Sequence, residues 1–243
     1  MEASVLGRSA NAASQSRITP ATSPADAFRP RLALPRVLLC DLDGTLIDTM
    51  PILADLAAEV LEQVHGLPRP LARDMYLATS GIPFIRQLDL ICPDDARNVA
   101  ASARFEAEKP ARCAAARLPG DSRRALLELR GRGTRVVVSS NNGVANVSAF
   151  AQVTDFPFDL ALGYDGKGLA KGRPHIACAA AVFGASCEEM VLVGDSLHDG
   201  EIAEREGLRF IGVTGTFSRE RFALRFPGLP VVDRLAELPQ LFA

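Results

Sequence analysis

The 243-residue chain predicts an α/β fold, a doubly wound parallel sheet with an all-helical cap inserted after its first strand. Three observations predict it. Apolar runs at 37–40, 136–138, 190–194 and 209–213 are each as short as a buried strand. Helical periodicity separates the later runs, and such alternation builds a parallel sheet with helices on both faces. Between the first two runs, residues 50–118 carry helical patterns alone. In a sheet of this Rossmann-like kind, ligands gather at the carboxyl ends of the strands.

The elements follow in order. Residues 1–34 are rich in Ala, Ser, Thr, Asn and Pro without sustained apolar periodicity, and read as a disordered leader. Arg8, Arg17, Arg29 and Arg31 outnumber Glu2 and Asp26, the balance of a transit peptide. Without an apolar h-region the segment is no secretory signal, and an unstructured bacterial extension is expected. The core is expected over 35–49 and 119–243, with the helical cap over 50–118. In the cap, Ile52, Leu53, Leu56, Ala57, Val60, Leu61 and Val64 recur at helical spacing, and His65-Gly66 is a stop. Asp48 is expected to cap that first helix. Further helices are expected near 71–79, 85–90 and 96–117. Leu118-Pro119-Gly120 returns the chain to the core. There, helices at 122–131, 144–151, 174–183 and 199–206 alternate with strands at 135–139, 160–163, 190–194 and 209–213. Val231-Val232 is a further short strand.

Bulk properties exclude several classes. A net charge of -2 gives no reason to expect nucleic acid or an anionic membrane as partner. No apolar stretch approaches the roughly 20 residues of a membrane helix. Cys40, Cys92, Cys113, Cys178 and Cys187 are scattered and lack any CxxC pair. They read as reduced thiols in a cytoplasmic setting, with neither a disulfide framework nor a zinc site. Nothing in the sequence marks an oligomeric state.

The first strand ends in Asp41-Leu42-Asp43-Gly44-Thr45-Leu46-Ile47-Asp48. Two carboxylates two residues apart share a face if the extended geometry persists, and Gly44 lets the chain turn. Carboxylates so paired repel unless a cation or proton lies between them. That suits a magnesium site with one attacking carboxylate, Asp41, and one proton-handling carboxylate, Asp43. Downstream stand Val136-Val137-Val138-Ser139-Ser140-Asn141, Lys171-Gly172-Arg173-Pro174 and Val191-Leu192-Val193-Gly194-Asp195-Ser196-Leu197-His198-Asp199. A hydroxyl at Ser139, with Ser140 as the register alternative, suits a phosphoryl oxygen. Lys171, with Lys167 nearby, offers a point charge for a phosphate. Asp195 offers a hard oxygen ligand to magnesium, and Asp199 opens a helix as an N-cap.

From Arg36 onward these segments, in this order, resemble the haloacid dehalogenase superfamily, and within it the phosphoglycolate-phosphatase-like hydrolases. The resemblance implies that Asp41 is the nucleophile and Asp43 the general acid and base. The true dehalogenases lack an acid at the Asp43 position, and the phosphoryl-transfer ATPases carry Thr there, so Asp43 points to phosphate esters. The resemblance implies Asp41, Asp195 and the Asp43 carbonyl as magnesium ligands, with Asp199 supporting them and the lysine. Lys171 departs from the family pattern in one respect: Gly172 stands where a first Pro is usual. The segment 80–84 with Arg86 resembles the cap's specificity loop, where Arg86 would grip an anionic group of the substrate. The expected activity is magnesium-dependent hydrolysis of a small-molecule phosphate ester. A phosphomutase, or a non-catalytic phosphate-binding protein on the same fold, are the alternatives.

Overall fold

The structure, a computed structural model, describes residues 31–243. Its centre is a six-stranded, all-parallel sheet in the order β3-β2-β1-β4-β5-β6. The strands are β1 (Val37–Cys40), β2 (Arg135–Gly143), β3 (Leu160–Tyr164), β4 (Met190–Gly194), β5 (Arg209–Val213) and β6 (Val231–Val232). Period-two alternation sends Leu38, Cys40, Val136, Val138, Val191 and Val193 into one apolar cluster. Val37, Leu39, Val137 and Leu192 enter the cluster on the other face. With helices covering both faces, the strands read as near-continuous apolar runs.

Register fixes where the chemistry lies. Cys40 pairs level with Val138 on one side and Val193 on the other. The residues that follow β1 and β4, and the last residues of β2 beyond Val138, therefore emerge at the carboxyl end of the sheet.

Between β1 and α5 (Gly120–Gly131) come α1 (Met50–His65), α2 (Arg69–Ala78), α3 (Phe84–Ile91) and α4 (Asn98–Arg112). They bury an apolar cluster of their own, which includes Leu53, Leu56, Leu61, Tyr76, Phe84 and Phe105. Phe84 and Phe105 lie 4.1 Å apart between ring centroids, with Tyr76 beside both. Gly66 ends α1 in the left-handed conformation, φ 73°, as the His65-Gly66 stop requires. Asp48 does not cap α1. It is exposed, and Thr49 stands at the N-cap position with its hydroxyl turned elsewhere.

The remaining helices are α6 (Val144–Val153), α7 (Arg173–Phe183), α8 (Leu197–Glu206), α9 (Arg219–Arg225) and α10 (Leu238–Leu241). Two differences from the sequence reading bear on the site. Strand β2 continues four residues past Ser139, with an irregular register between Ser139 and Gly143. Helix α4 is shorter than the expected 96–117. The expected leader lies outside the described residues apart from 31–34. Of these, Leu32 donates its N–H to the Leu241 carbonyl at 2.7 Å, and its carbonyl accepts from Ala243 at 2.9 Å. Among the described residues, no helix is long and apolar enough to cross a membrane.

Candidate active site

The site starts where β1 stops. Asp41 follows Cys40, and its N–H donates to the Val193 carbonyl at 2.9 Å, so it is fixed as the strand's next rung. The chain then doubles back: the Leu42 carbonyl accepts from Leu46 and Ile47, and Gly44 donates to Ile47. Gly44 turns at φ +85°, and a Cβ there would collide with the Asp195 carboxylate. Glycine thus serves both the turn and the close approach. Asp195 follows β4 and is buried, with Thr45 and Thr216 hydroxyls donating to its oxygens.

Asp199 is set by a capping box that opens α8. The Ser196 hydroxyl accepts from the Asp199 N–H, while Asp199 Oδ2 accepts from the Ser196 N–H and hydroxyl. Lys171 reaches in from the loop before α7. Its ammonium lies 2.7 Å from Asp41 Oδ1 and against Asp199 Oδ1. Lys167, the competing lysine, is exposed in the turn organised by Asp165. Gly172 sits at φ +112°, which the ring of a proline cannot adopt. That geometry accounts for the glycine in the Lys-Gly-Arg-Pro segment.

The electrostatics are those of crowded, dry carboxylates. Burial pushes Asp41 up to about 6, against the pull of Lys171. Burial, then the charges of Asp41 and Asp199, hold Asp195 well above the carboxylate range. Burial alone would lower Lys171; Asp199 and Asp41 overcome it and raise the ammonium's pKa. Carboxylate oxygens of Asp41, Asp195 and Asp199 lie within 4.8 Å of one another. Such a cluster asks for a cation or a proton, and its all-oxygen donor set fits a hard divalent ion. Asp199 is already engaged by Lys171 and Ser196, so Asp41 and Asp195 are the carboxylates best placed to hold it.

Asp43 faces the same space from the other side of the loop. Thr49 donates to its Oδ1 at 2.7 Å. Lys109 of α4, at 3.0 Å, and the Asn142 amide, at 3.2 Å, donate to its Oδ2. Neither Lys109 nor Asn142 is among the residues expected from the sequence. For Lys109 a signal exists: Ala101, Phe105 and Lys109 recur at i, i+4 and i+8, so the lysine continues the buried stripe of α4.

A cleft of about 560 Å³, including space open to solvent, joins these groups. Asp41, Asp43, Lys171 and Asp195 line its floor, and Tyr76, Ser80, Gln87, Glu106 and Lys109 its opposite wall. The buried Ser80 hydroxyl has no hydrogen-bond partner among the described residues. Asn141 ties the two walls. Its amide donates to the Gly81 carbonyl at 2.9 Å, and its side-chain oxygen accepts from the Lys171 N–H at 3.2 Å.

Two expected site residues are misplaced. Ser139 does not line the cleft; its hydroxyl pairs with His175 Nδ1 at 3.0 Å in the interior. Because β2 runs on to Gly143, the end of the apolar run is not the end of the strand. Period-two alternation then turns Ser140, not Ser139, to the cleft. Arg86 is the second. It is exposed on α3 and pairs with Asp89 at 3.4 Å, away from the cleft. The buried stripe of α3 is Phe84, Gln87 and Leu88, and it is Gln87 that reaches the cleft.

The model of the haloacid dehalogenase-like hydrolase family matches residues 35–207. A phosphoglycolate phosphatase of Cereibacter sphaeroides is 32% identical over 179 residues, 70% of this chain and 81% of that protein. A probable phosphatase, IndB, of Dickeya dadantii is 27% identical over 214 residues, 83% of this chain and 91% of that protein. The fold matches that of a putative haloacid dehalogenase-like hydrolase from Bacteroides fragilis with a TM-score of 0.71 at 24% identity, covering 84% of this chain and 99% of that one. The chain is an enzyme that groups with phosphatases, and it belongs to the haloacid dehalogenase-like hydrolase family.

Proposed function

We propose that the chain hydrolyses a small phosphomonoester, with magnesium bound and with Asp41 carrying the phosphoryl group between two displacements. One observation carries this reading: Asp41, held by Lys171 at 2.7 Å, faces Asp195 in the cleft into which Asp43 also opens. Asp41, Asp195 and the Asp43 backbone carbonyl would hold the magnesium. Bound there, it would offset the charge of a phosphate that this carboxylate-lined cleft would otherwise repel.

The remaining steps belong to the chain. The free oxygen of Asp41 attacks phosphorus, the ester P–O bond breaks, and Asp43 gives its proton to the leaving oxygen. Water then attacks phosphorus, Asp43 takes the water's proton, and the Asp41–phosphorus bond breaks to release phosphate. Lys171 keeps Asp41 oriented and offsets charge at the phosphoryl oxygens, and Ser140 offers a hydroxyl to one of them. Asp199 acts through Lys171. The helices above the cleft form the cap that selects the leaving group. The named relatives make 2-phosphoglycolate the first ester to try, and the free thiols suit a cytoplasmic setting.

The test is phosphate release from 2-phosphoglycolate by the purified protein with magnesium. Activity that excess chelator abolishes and magnesium restores supports the reading. Activity indifferent to chelator, or an isomerised phosphate ester in place of free phosphate, overturns it.

A further inference from the structure

We propose that Lys109 is both the latch on Asp43 and the residue that recognises a carboxylate on the leaving group. The preferred substrates are then phosphomonoesters whose leaving group carries an anion close to the ester oxygen. This deepens the phosphatase reading above and rests on it.

The geometry is specific. Lys109 comes from α4, crosses to the sheet edge and places its ammonium 3.0 Å from Asp43 Oδ2. It is 8% exposed, and with Lys171 it is one of two ammonium groups lining the cleft. Lys171 is committed to Asp41 and Asp199, so Lys109 is the cation facing the space beyond Asp43. Glu106 shares that wall, and its charge acts on Lys109 after that of Asp43, so Lys109 stands between two carboxylates of this chain and the space a ligand would fill.

Asp43 is held by three donors, Thr49, Lys109 and Asn142. A carboxylate fixed in that way is poorly free to hand a proton to a leaving oxygen. An ester oxygen within reach of Asp43 brings the next carbons of the leaving group against Lys109. A carboxylate at that distance gives Lys109 an alternative partner and takes the charged donor off Asp43 Oδ2, leaving the weaker, neutral Asn142 amide there. Binding of the right leaving group is thereby coupled to freeing the acid, while a neutral leaving group leaves the latch in place. Cap and chemistry meet in one side chain.

The test compares 2-phosphoglycolate with 2-hydroxyethyl phosphate, which has the same length and no carboxylate, on the full chain with magnesium. The readout is the ratio of the two kcat/KM values. Both are measured on the same sample, so any misfolded fraction cancels. Wild type is expected to favour the carboxylate ester by at least about tenfold, the scale of one charge-assisted hydrogen bond. Lys109→Met and Lys109→Gln should each lower that ratio on the order of 10–100-fold, chiefly by raising KM for 2-phosphoglycolate. A wild type without preference, or variants that lose equally on both esters or on neither, overturns the role of Lys109 and leaves the phosphatase reading standing. A wild type that releases phosphate from neither ester, nor from any other phosphomonoester, overturns the phosphatase reading itself.

Discussion

The two walls of the cleft differ in how their residues are held. The sheet-edge wall is internally closed. Asp41, Asp195, Asp199 and Lys171 are buried and satisfy one another or nearby hydroxyls. The helical wall is open: the Ser80 hydroxyl has no partner among the described residues, Glu106 is exposed, and Lys109 takes its ion-pair partner from across the cleft. A closed wall suits chemistry that does not change between substrates. An open one leaves groups to spend on a ligand. Removing a sheet-edge residue should therefore cost turnover on every substrate, whereas removing a helical-wall residue should cost selectivity.

The largest effects should fall on the sheet edge. Asp41→Asn is expected to abolish turnover, because a carboxamide is not a competent nucleophile. Asp43→Asn should lower kcat on the order of 10²–10⁴-fold for esters with poor leaving groups, the usual worth of a positioned acid and base. Steady-state assays on protein with an unchanged melting transition check both. Near-normal rates in either variant would break the comparison at its root.

The neighbouring serines sharpen it. Ser140→Ala should cut kcat on the order of 10²-fold by removing a donor from the phosphoryl oxygens. Ser139→Ala should leave kcat in place and lower stability by about 1–3 kcal/mol, because His175 Nδ1 loses its buried partner. Denaturant midpoints and kinetics on both variants would reveal an exchange of these effects, which would restore Ser139 to the phosphate.

His175 also sets a pH dependence. Burial depresses it to about 4, below its ordinary value near 6.5. The unfolded chain therefore binds the extra proton first as pH falls. The contribution of His175 is full above about 6.5, declines as pH drops towards about 4, and is worth at most about 3 kcal/mol. Urea midpoints between pH 7 and 4 should show a steeper decline for wild type than for His175→Asn, and parallel curves would remove His175 from that role.

The smallest effect belongs to Arg86. Exposed and paired only with Asp89, it should tolerate Arg86→Ala within about 0.5 kcal/mol of stability and with unchanged kcat/KM. A selective loss on anionic esters would return it to recognition.

Legibility in the sequence follows the same division. Asp41 and Asp195 were readable because each directly follows a short apolar strand, which marks both the position and the sheet edge. Lys171 was readable through its segment, and Gly172 explains its one departure. Ser139 was misread because a polar residue within a strand looks like the strand's end; only the pairing of β2 with β3 shows that the strand continues. On the helices the difficulty is phase. Arg86 lies one residue from Gln87, and that rotation of about 100° separates solvent from cleft. Lys109 lay hidden among Arg104, Glu108 and Arg112, whose mutual ion pairs give α4 the look of a solvated face. Leu32, within the expected leader, was also unreadable as part of the fold, because its hydrogen-bond partners, Leu241 and Ala243, lie at the distant C-terminus.

The most direct test of the sheet-edge chemistry uses Asp43→Asn with an aryl phosphate whose phenolate leaves without a proton. The first displacement then needs no acid, whereas the second still needs a base. The account predicts a burst of phenolate equal to the number of active sites, followed by slow turnover, with acid-quenched protein carrying the phosphoryl group on the peptide that contains Asp41. Linear release at the wild-type rate, or a phosphoryl group on any other residue, would contradict it.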